Sequence, residues 1–482
     1  MARTSIWHRP MTLLVAVLSC VGVLCGWAAA EPPNAPAAAP AVAGSRGAGG
    51  PYYPEDGNGG YRVSDYQVSI RYDPTSHQLA GEARITASAT ERLRSFDLDL
   101  SGLTVHSVTV NGGVAGSHRS GRHELVINPS SQLPRSAGFT VDVRYSGIPK
   151  PLGDPMLGLN GWQYSVDGGA FAAGEPHSAA TWYPVNDTPR DKASFHLTAT
   201  VPVGWSVIGN GRQGHTTRQH GWHTYRWNED TPIASYLTTI GIDKWIYRRS
   251  TMPDGTPIVS AFAPSATRHE ADEARLPEIL AFLESKFGPY PQDAAGGIFL
   301  ADNIGFSLET QTRPVYGQWA GLSTIVHENA HQWFGDSVTV HDWRDTCLNE
   351  CFASYAQSLW AEAKGGVNLD DVYRHDVALT YDQPQFWAGR LYDAGGGKEF
   401  TSVYAKGAMA IHALRRRIGE RAFDVVLRGW PARYRNGNAS WPEFERFVQR
   451  VSGQHLQGFF NAWFHGTTIP QARYLWPGSL HP

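Results

Sequence analysis

The sequence predicts a multidomain α+β protein, with an all-β domain first and a mostly helical domain second. Three observations carry that reading. Between residues 61 and 245 the apolar residues come in short, partly alternating runs such as "YRVSDYQVSIRYDP", "GEARITASAT", "GFTVDVRYSG" and "ASFHLTATVP", separated by Gly, Pro and Asn; a period of two is the mark of half-buried strands. After "PIVSAFAP" the texture changes, and helical patterns follow at 268–286, 319–334, 349–363, 403–417, 420–430, 441–450 and 455–464. The length of 482 residues suits two domains, each able to bury a core.

Taken in order, residues 1–30 read as a signal peptide. Arg3 and Arg9 precede the apolar run "MTLLVAVLSCVGVLCGW", and Ala28-Ala29-Ala30 offers the small residues of a cleavage site. The run from Met11 to Trp27 is short for a membrane span. The expectation is therefore a secreted, extracellular chain with no stable membrane association after cleavage. A lipid anchor on Cys20 is the lesser alternative, because Val-Leu-Ser is a poor approach to a lipidated cysteine. Residues 31–60, rich in Ala, Pro and Gly, read as a disordered linker. The β domain is expected over 61–245, the mostly helical domain over 246–475 and a short tail over 476–482.

Composition narrows the function classes. Lys plus Arg is 41 and Asp plus Glu is 44, a net charge of −3, which recruits neither nucleic acid nor an anionic membrane. Of four cysteines, Cys20 and Cys25 leave with the leader, so Cys347 and Cys351 do not make a disulfide-stapled scaffold. A monomer is expected.

The chemistry concentrates in "STIVHENAHQWFG", which contains His327-Glu328-Asn329-Ala330-His331. Residues four apart share a helix face, so the two imidazoles can hold one metal ion, while Glu328 is rotated by about 100° and suits a base rather than a ligand. Glu350 follows His331 by nineteen residues, at the start of a second helix. Packed side by side, the two helices can supply two nitrogens and one oxygen, the open set that catalytic Zn2+ sites use. Asn349, Asp345 and Asp336 are close enough in sequence to orient the imidazoles.

With these residues in hand, the chain resembles the M1 family of zinc aminopeptidases, the gluzincins, whose pattern is HExxH, eighteen residues and a Glu. "NIGFSLETQTRPVY" is similar to the family segment carrying the exopeptidase Glu, which implies that Glu309 anchors the substrate's α-amino group and that Gly305, Phe306, Ser307 and Leu308 lie beside the substrate. "VYAKGAMAIHALR" resembles the Tyr-x-Lys-Gly helix, making Tyr404 the catalytic tyrosine, and "GEPHSAATWYPVNDTPRDKASF" places Glu175 at the second amine-binding position. The resemblance implies a saddle-like β domain, a thermolysin-like zincin domain, one Zn2+ per chain and peptides with a free N-terminus as substrates. Zinc-activated water would be the attacking group, with Glu328 as general base and Tyr404 stabilising the tetrahedral oxyanion. Because the chain stops at Pro482, a short secreted bacterial form with only these two domains and an open cleft is expected.

Two alternatives remain, a thermolysin-like endopeptidase and a noncatalytic binding protein on the same fold. The chain also departs from the family around the third ligand, where Cys347 and Cys351 replace the usual Trp and Gly. Free buried thiols are favoured over a disulfide there. On a regular helix the Cβ atoms four residues apart are separated by about 5.5–6 Å, against about 3.8 Å in a bridge. The obstacle weakens if Cys347 precedes the helix proper. Ligation of zinc by Cys351 is disfavoured.

Overall fold

Strict alternation of inward and outward side chains builds the first half of the chain. In the computed structural model, which describes residues 40–154 and 158–482, the strand Tyr61–Asp73 buries Tyr66, Val68, Ile70 and Tyr72 and exposes the residues between them. It pairs antiparallel with Gln78–Ala89 and parallel with Ala193–Pro202. With Gly138–Gly147, Thr104–Val110 and Trp222–Ile233 these strands form the backbone of a nine-stranded sheet. A five-stranded sheet containing Gly158–Tyr164, Ala170–Ala173 and Ile240–Asp243 packs beside it. Its strand Ala170–Ala173 is fully buried and ends just before Glu175. This is the expected β half followed by a helical half.

The second half opens with a small sheet in which Ile246–Thr251, Pro257–Phe262, Ile298–Phe299 and Val315–Tyr316 lie in that order. Helices follow at Leu276–Phe287, Leu322–Ala330, Cys347–Gly365, Ala405–Ile418, Glu420–Tyr434, Trp441–Ser452 and Gln457–Trp463. Three further helices, Leu369–Thr380, Pro384–Ala388 and Ala472–Leu475, lie where no helix is expected. The expected helix over 319–334 is shorter, because Gly321 starts it late and tight turns take over at His331. From Ala41 to Pro482 the chain forms one compact unit.

The linker expectation fails over residues 40–60. Val42–Ala43 adds a parallel strand to Leu93–Asp99, and Asn58 N donates to Asn186 Oδ1 at 2.6 Å. Tyr52 Oη donates to Asp393 Oδ1 at 2.8 Å, and Tyr53 Oη donates to Glu399, so this strap ties the β half to the helical half. Its glycines serve close approach rather than flexibility: Gly47 has φ +74°, and a Cβ there would lie 1.8 Å from Pro54 O. Composition reports little apolar surface in the segment but not the partners its backbone and tyrosines find. The signal-peptide reading falls on residues outside those described. Among the described residues no helix is long and apolar enough to cross a membrane.

Glu273, buried where Glu270–Glu273 packs on the small sheet, accepts a hydrogen bond from Ser260 Oγ while its Oε2 has no partner. Burial raises its pKa from 4.5 to about 8. Between those values the folded chain holds a proton that the unfolded chain has released, so stability falls as pH rises through that window, by about 1.4 kcal/mol per pH unit. The expected outcome is that Glu273→Gln reduces the loss of urea midpoint between pH 5 and pH 8. An identical loss in wild type and variant would show that Glu273 ionises normally.

Candidate metal and peptide site

His327 lies in the helix Leu322–Ala330, and His331 caps its C-terminal end with helical dihedrals, which keeps the two imidazoles one turn apart on one face. His327 Nε2 is 3.2 Å from His331 Nε2 and 3.2 Å from Glu350 Oε2, and His331 Nε2 is 3.6 Å from that same oxygen. Bonds of about 2.0–2.1 Å in tetrahedral directions hold zinc ligands roughly 3.3 Å apart. The triangle therefore fits one zinc ion, with a fourth direction left open. Glu328 also brings a carboxylate oxygen within 4.8 Å of ligand atoms of both histidines.

The imidazole of His331 is oriented by the backbone. Its Nδ1 donates to Phe334 O at 3.0 Å, which leaves Nε2 as a lone-pair donor. Gly335, at φ +144°, makes room for that ring, since a Cβ there would stand 3.1 Å from Nδ1. None of the three side chains expected to orient the imidazoles takes this role. Asp345 accepts from Trp441 N and Asp342 N, Asn349 Nδ2 reaches Tyr236 Oη at 3.5 Å, and neither Asp336 oxygen has a partner.

Glu350 comes from the helix Cys347–Gly365, which a capping box at Asp342 and Asp345 leads into through the 3-10 turn Trp343–Asp345. Here the cysteine expectation is corrected: Cys347 and Cys351 form a disulfide, with their Cα atoms 4.8 Å apart. Cys347 is the first residue of the helix, preceded by the 3-10 turn, so the spacing of a regular helix interior does not apply. The bridge faces the helix Ala405–Ile418. A Cβ on Gly407 would lie 2.6 Å from Cys351 Sγ, so this glycine lets the two helices close up.

The rest of the Tyr-x-Lys-Gly motif has a structural reading of the same kind. Lys406 is buried and donates to Trp387 O at 3.0 Å, Gly389 O and Gly466 O, which fastens two loops to the helix start. Tyr404 stands just outside the helix as its N-cap, 42% exposed, with its ring 6.2 Å from that of His327. Enclosure by protein and the charges of Glu350, Glu175, Glu328 and Glu309 raise its pKa further, so the hydroxyl keeps its proton.

Glu309 is positioned by a buried polar clamp. Gln332, next to His331, donates from Nε2 to Glu309 O at 3.2 Å and accepts from Thr312 N at 2.9 Å. The β half completes it, with Asn210 Nδ2 donating to Gln311 O at 2.7 Å and Gly211 N to Thr312 Oγ1 at 2.7 Å. Glu175, joined to Pro176 by a cis peptide bond, enters from the β half, and its carbonyl accepts from Asn160 Nδ2.

These residues meet in one cavity of about 410 Å³, lined by Glu175, Gly305, Phe306, Ser307, Leu308, Glu309, His327, Glu328, Glu350 and Tyr404, while His331 touches the lining residues His327 and Glu350. Glu175 Oε1 and Glu309 Oε1 are buried without partners. Burial first, then mutual repulsion, raises the pKa values of Glu175 and Glu328, and burial also raises that of Glu309. Glu350 differs: burial opposes its charge, but the imidazoles of His331 and His327 beside it lower its pKa to about 2. Trp319, Thr324, Gln357 and Phe400 also line the cavity and were not legible in the sequence, although Trp319 lies only ten residues after Glu309. Trp333, Phe334 and Phe352 are buried core rather than cavity wall.

A zinc-type ligand set on a His-Glu-x-x-His helix, between a β half and a helical half, defines a zincin metallopeptidase fold. Residues 63–237 match the peptidase M1 N-terminal domain, and residues 306–463 match the peptidase family M1 domain. The chain belongs to peptidase family M1. It is similar to an M1 zinc metallopeptidase from Deinococcus radiodurans, with 27% identity and a TM-score of 0.82 over 90% of this chain and 100% of that one. A mutant of the Deinococcus enzyme, solved with a Tyr-Ser-Ala substrate, is 26% identical with a TM-score of 0.81 over 88% of this chain and 99% of that one. Aminopeptidase N of Streptomyces lividans is 26% identical over 84% of this chain and 50% of its own length. The chain thus spans about half the length of the curated relatives it matches.

The disulfide and Gly407 generate a prediction about packing. Gly407→Ala is expected to cost about 1–3 kcal/mol of stability by overpacking. In a Cys347→Ala/Cys351→Ala background the same change should cost less than half as much, because the sulfur it meets is gone. Equal costs in both backgrounds, read from denaturant midpoints, would mean that the bridge does not set the helix separation.

Proposed function

We propose that the chain is a zinc-dependent aminopeptidase that removes the N-terminal residue from peptides, acting as a secreted monomer. The observation that carries this reading is the pair of buried carboxylates, Glu309 and Glu175, each with an unpartnered oxygen, in the same cavity as the His327, His331 and Glu350 cluster. A buried carboxylate pair requires a cation, and the ammonium of a peptide N-terminus meets it with charge-assisted hydrogen bonds. An endopeptidase has no use for such an anchor beside its ligand set. The leader-like residues 1–30 support export.

His327, His331 and Glu350 would hold the zinc ion. When bound there, zinc supplies Lewis acidity, polarising a carbonyl and acidifying water. The protein's residues do the remaining work. Glu309 and Glu175 fix the ammonium, which sets the first peptide bond at a constant distance from the anchor and excludes residues upstream of it. Glu328, held protonatable by its buried setting, accepts the proton of the attacking water and passes it to the departing nitrogen. The Tyr404 hydroxyl donates to the carbonyl oxygen as that oxygen becomes negative, a contact stronger in the transition state than in the ground state. The backbone of Gly305–Leu308 runs along the wall of the cavity beside the substrate.

The purified protein is expected to carry one zinc by elemental analysis, and His331→Ala to lose it. Free aminoacyl reporters should be cleaved and their N-acetylated forms should not; equal rates on both would sink the exopeptidase reading. Glu328→Gln should lower kcat by about 10²–10⁴-fold with zinc retained. Tyr404→Phe should lower kcat by about 10²–10³-fold with little change in KM. Full activity in either variant would refute the role given to that residue.

A further inference from the structure

On the β half, a second cluster of buried carboxylates lies outside the catalytic site. Asp99 and Glu124 are directly opposite each other on the antiparallel strands Leu93–Asp99 and Glu124–Asn128. Like charges in that register repel. Asp99 is 1% exposed and Glu124 5% exposed, and neither oxygen of Glu124 has a hydrogen-bond partner. Asp99 is half satisfied: Oδ2 accepts from Asp187 N at 2.8 Å and Asn58 Nδ2 at 3.3 Å, while Oδ1 accepts nothing. Arg46, on the strap, is paired with Asp97, and Arg122 lines the cavity that Asp99 faces.

An imidazole completes the group. His123 Nε2 lies 3.6 Å from Asp99 Oδ1 and 3.1 Å from Glu55 O, and ligand atoms of Asp99, His123 and Glu124 all fall within 4.8 Å of one another. Asp99 and His123 line a cavity of about 540 Å³, into which Asp56 and Asp187 also face, so an ion has a route in from solvent. Asp187 Oδ1 is a further buried oxygen without a partner.

We propose that Asp99, His123 and Glu124 form a second metal site, for a divalent cation that accepts carboxylate and imidazole ligands together. Two carboxylates and one imidazole, with the Glu55 carbonyl beside them, suit Mn2+ among the cations that tolerate an oxygen-rich set. Burial and the neighbouring acids raise the pKa of both Asp99 and Glu124, the behaviour of anions that lack a countercharge. An ion there would offset the repulsion across the strand pair. Through Glu55 it would also fasten the strap, whose Tyr52 and Tyr53 reach Asp393 and Glu399 of the helical half.

The test uses zinc-loaded protein titrated with Mn2+ alone, followed by loss of the free Mn2+ spin-resonance signal. Wild type and His331→Ala should each take up Mn2+ at a site that Glu124→Gln weakens by about 10- to 100-fold or more. Since the Glu124 carboxylate makes no hydrogen bond and its charge opposes that of Asp99, the metal-free variant should keep or exceed the wild-type denaturation midpoint, and His123→Ala, at a more exposed position, gives a second reading. No uptake by zinc-loaded wild type at millimolar Mn2+, or uptake unchanged in both Glu124→Gln and His123→Ala, overturns the proposal. Uptake lost in His331→Ala but kept in Glu124→Gln assigns the Mn2+ to the catalytic cluster and overturns it equally, without bearing on the peptidase reading.

Discussion

Glu175, Glu309, Glu328 and Glu350 are buried around one cavity, and their mutual repulsion is the constraint on which the surrounding structure depends. Such a group of anions is costly to remove from water unless cations come with it. The two imidazoles answer part of that demand, holding Glu350 ionised while Glu175 and Glu328 lean towards their protonated forms. A divalent ion on the imidazoles and a substrate ammonium on Glu309 and Glu175 would answer the rest. The site is thus a deficit of positive charge, held at positions that the fold fixes.

That rigidity comes from buried polar contacts rather than from apolar packing alone. Gln332 joins the backbone at Glu309 to the chain immediately after His331, which ties the Glu309 segment to the helix that carries His327. From the β half, the partly buried Lys192 donates to Asp336 O and Ser337 O, gripping the turn that follows His331. Burial lowers its pKa to about 7, against the pull of Asp336 and Glu229. Arg190 adds contacts to His341 O and Asp342, two residues from Lys192 and one turn of chain further along the helical half. The β half therefore serves the site mechanically as well as by contributing Glu175.

The other wall is set by how closely two helices approach. The disulfide at the start of the Glu350 helix sits against Gly407, while Lys406 anchors the loops beside Tyr404. Tyr355 and His412 link the same two helices further along, at 2.9 Å, and His412 continues to Asp370 at 2.9 Å. The Glu350 carboxylate and the Tyr404 phenol thus reach the same cavity from one tightly packed helix pair. Replacing a small residue by Cys351 is compatible with this because its sulfur points at the one residue of the neighbouring helix that has no side chain.

Much of this was legible in the chain itself. Alternation at a period of two and the longer helical runs determined the β-then-helical order, since burial of one face depends only on local periodicity. His327, Glu328 and His331 were readable because a helix repeats within four residues, and Glu350, Glu309, Glu175 and Tyr404 through family resemblance. What the sequence could not determine was everything that depends on distant partners. The strap at 40–60 looks unfoldable by composition, yet its tyrosines find carboxylates more than three hundred residues away. The orientation of His331 rests on a backbone carbonyl, which no residue type announces. The Cys347–Cys351 bridge turned on where a helix begins, and the convergence of Asp99 with Glu124 on the register of two strands. Periodicity and residue type are local properties, whereas a hydrogen bond or a shared cavity exists only once the chain has folded back on itself.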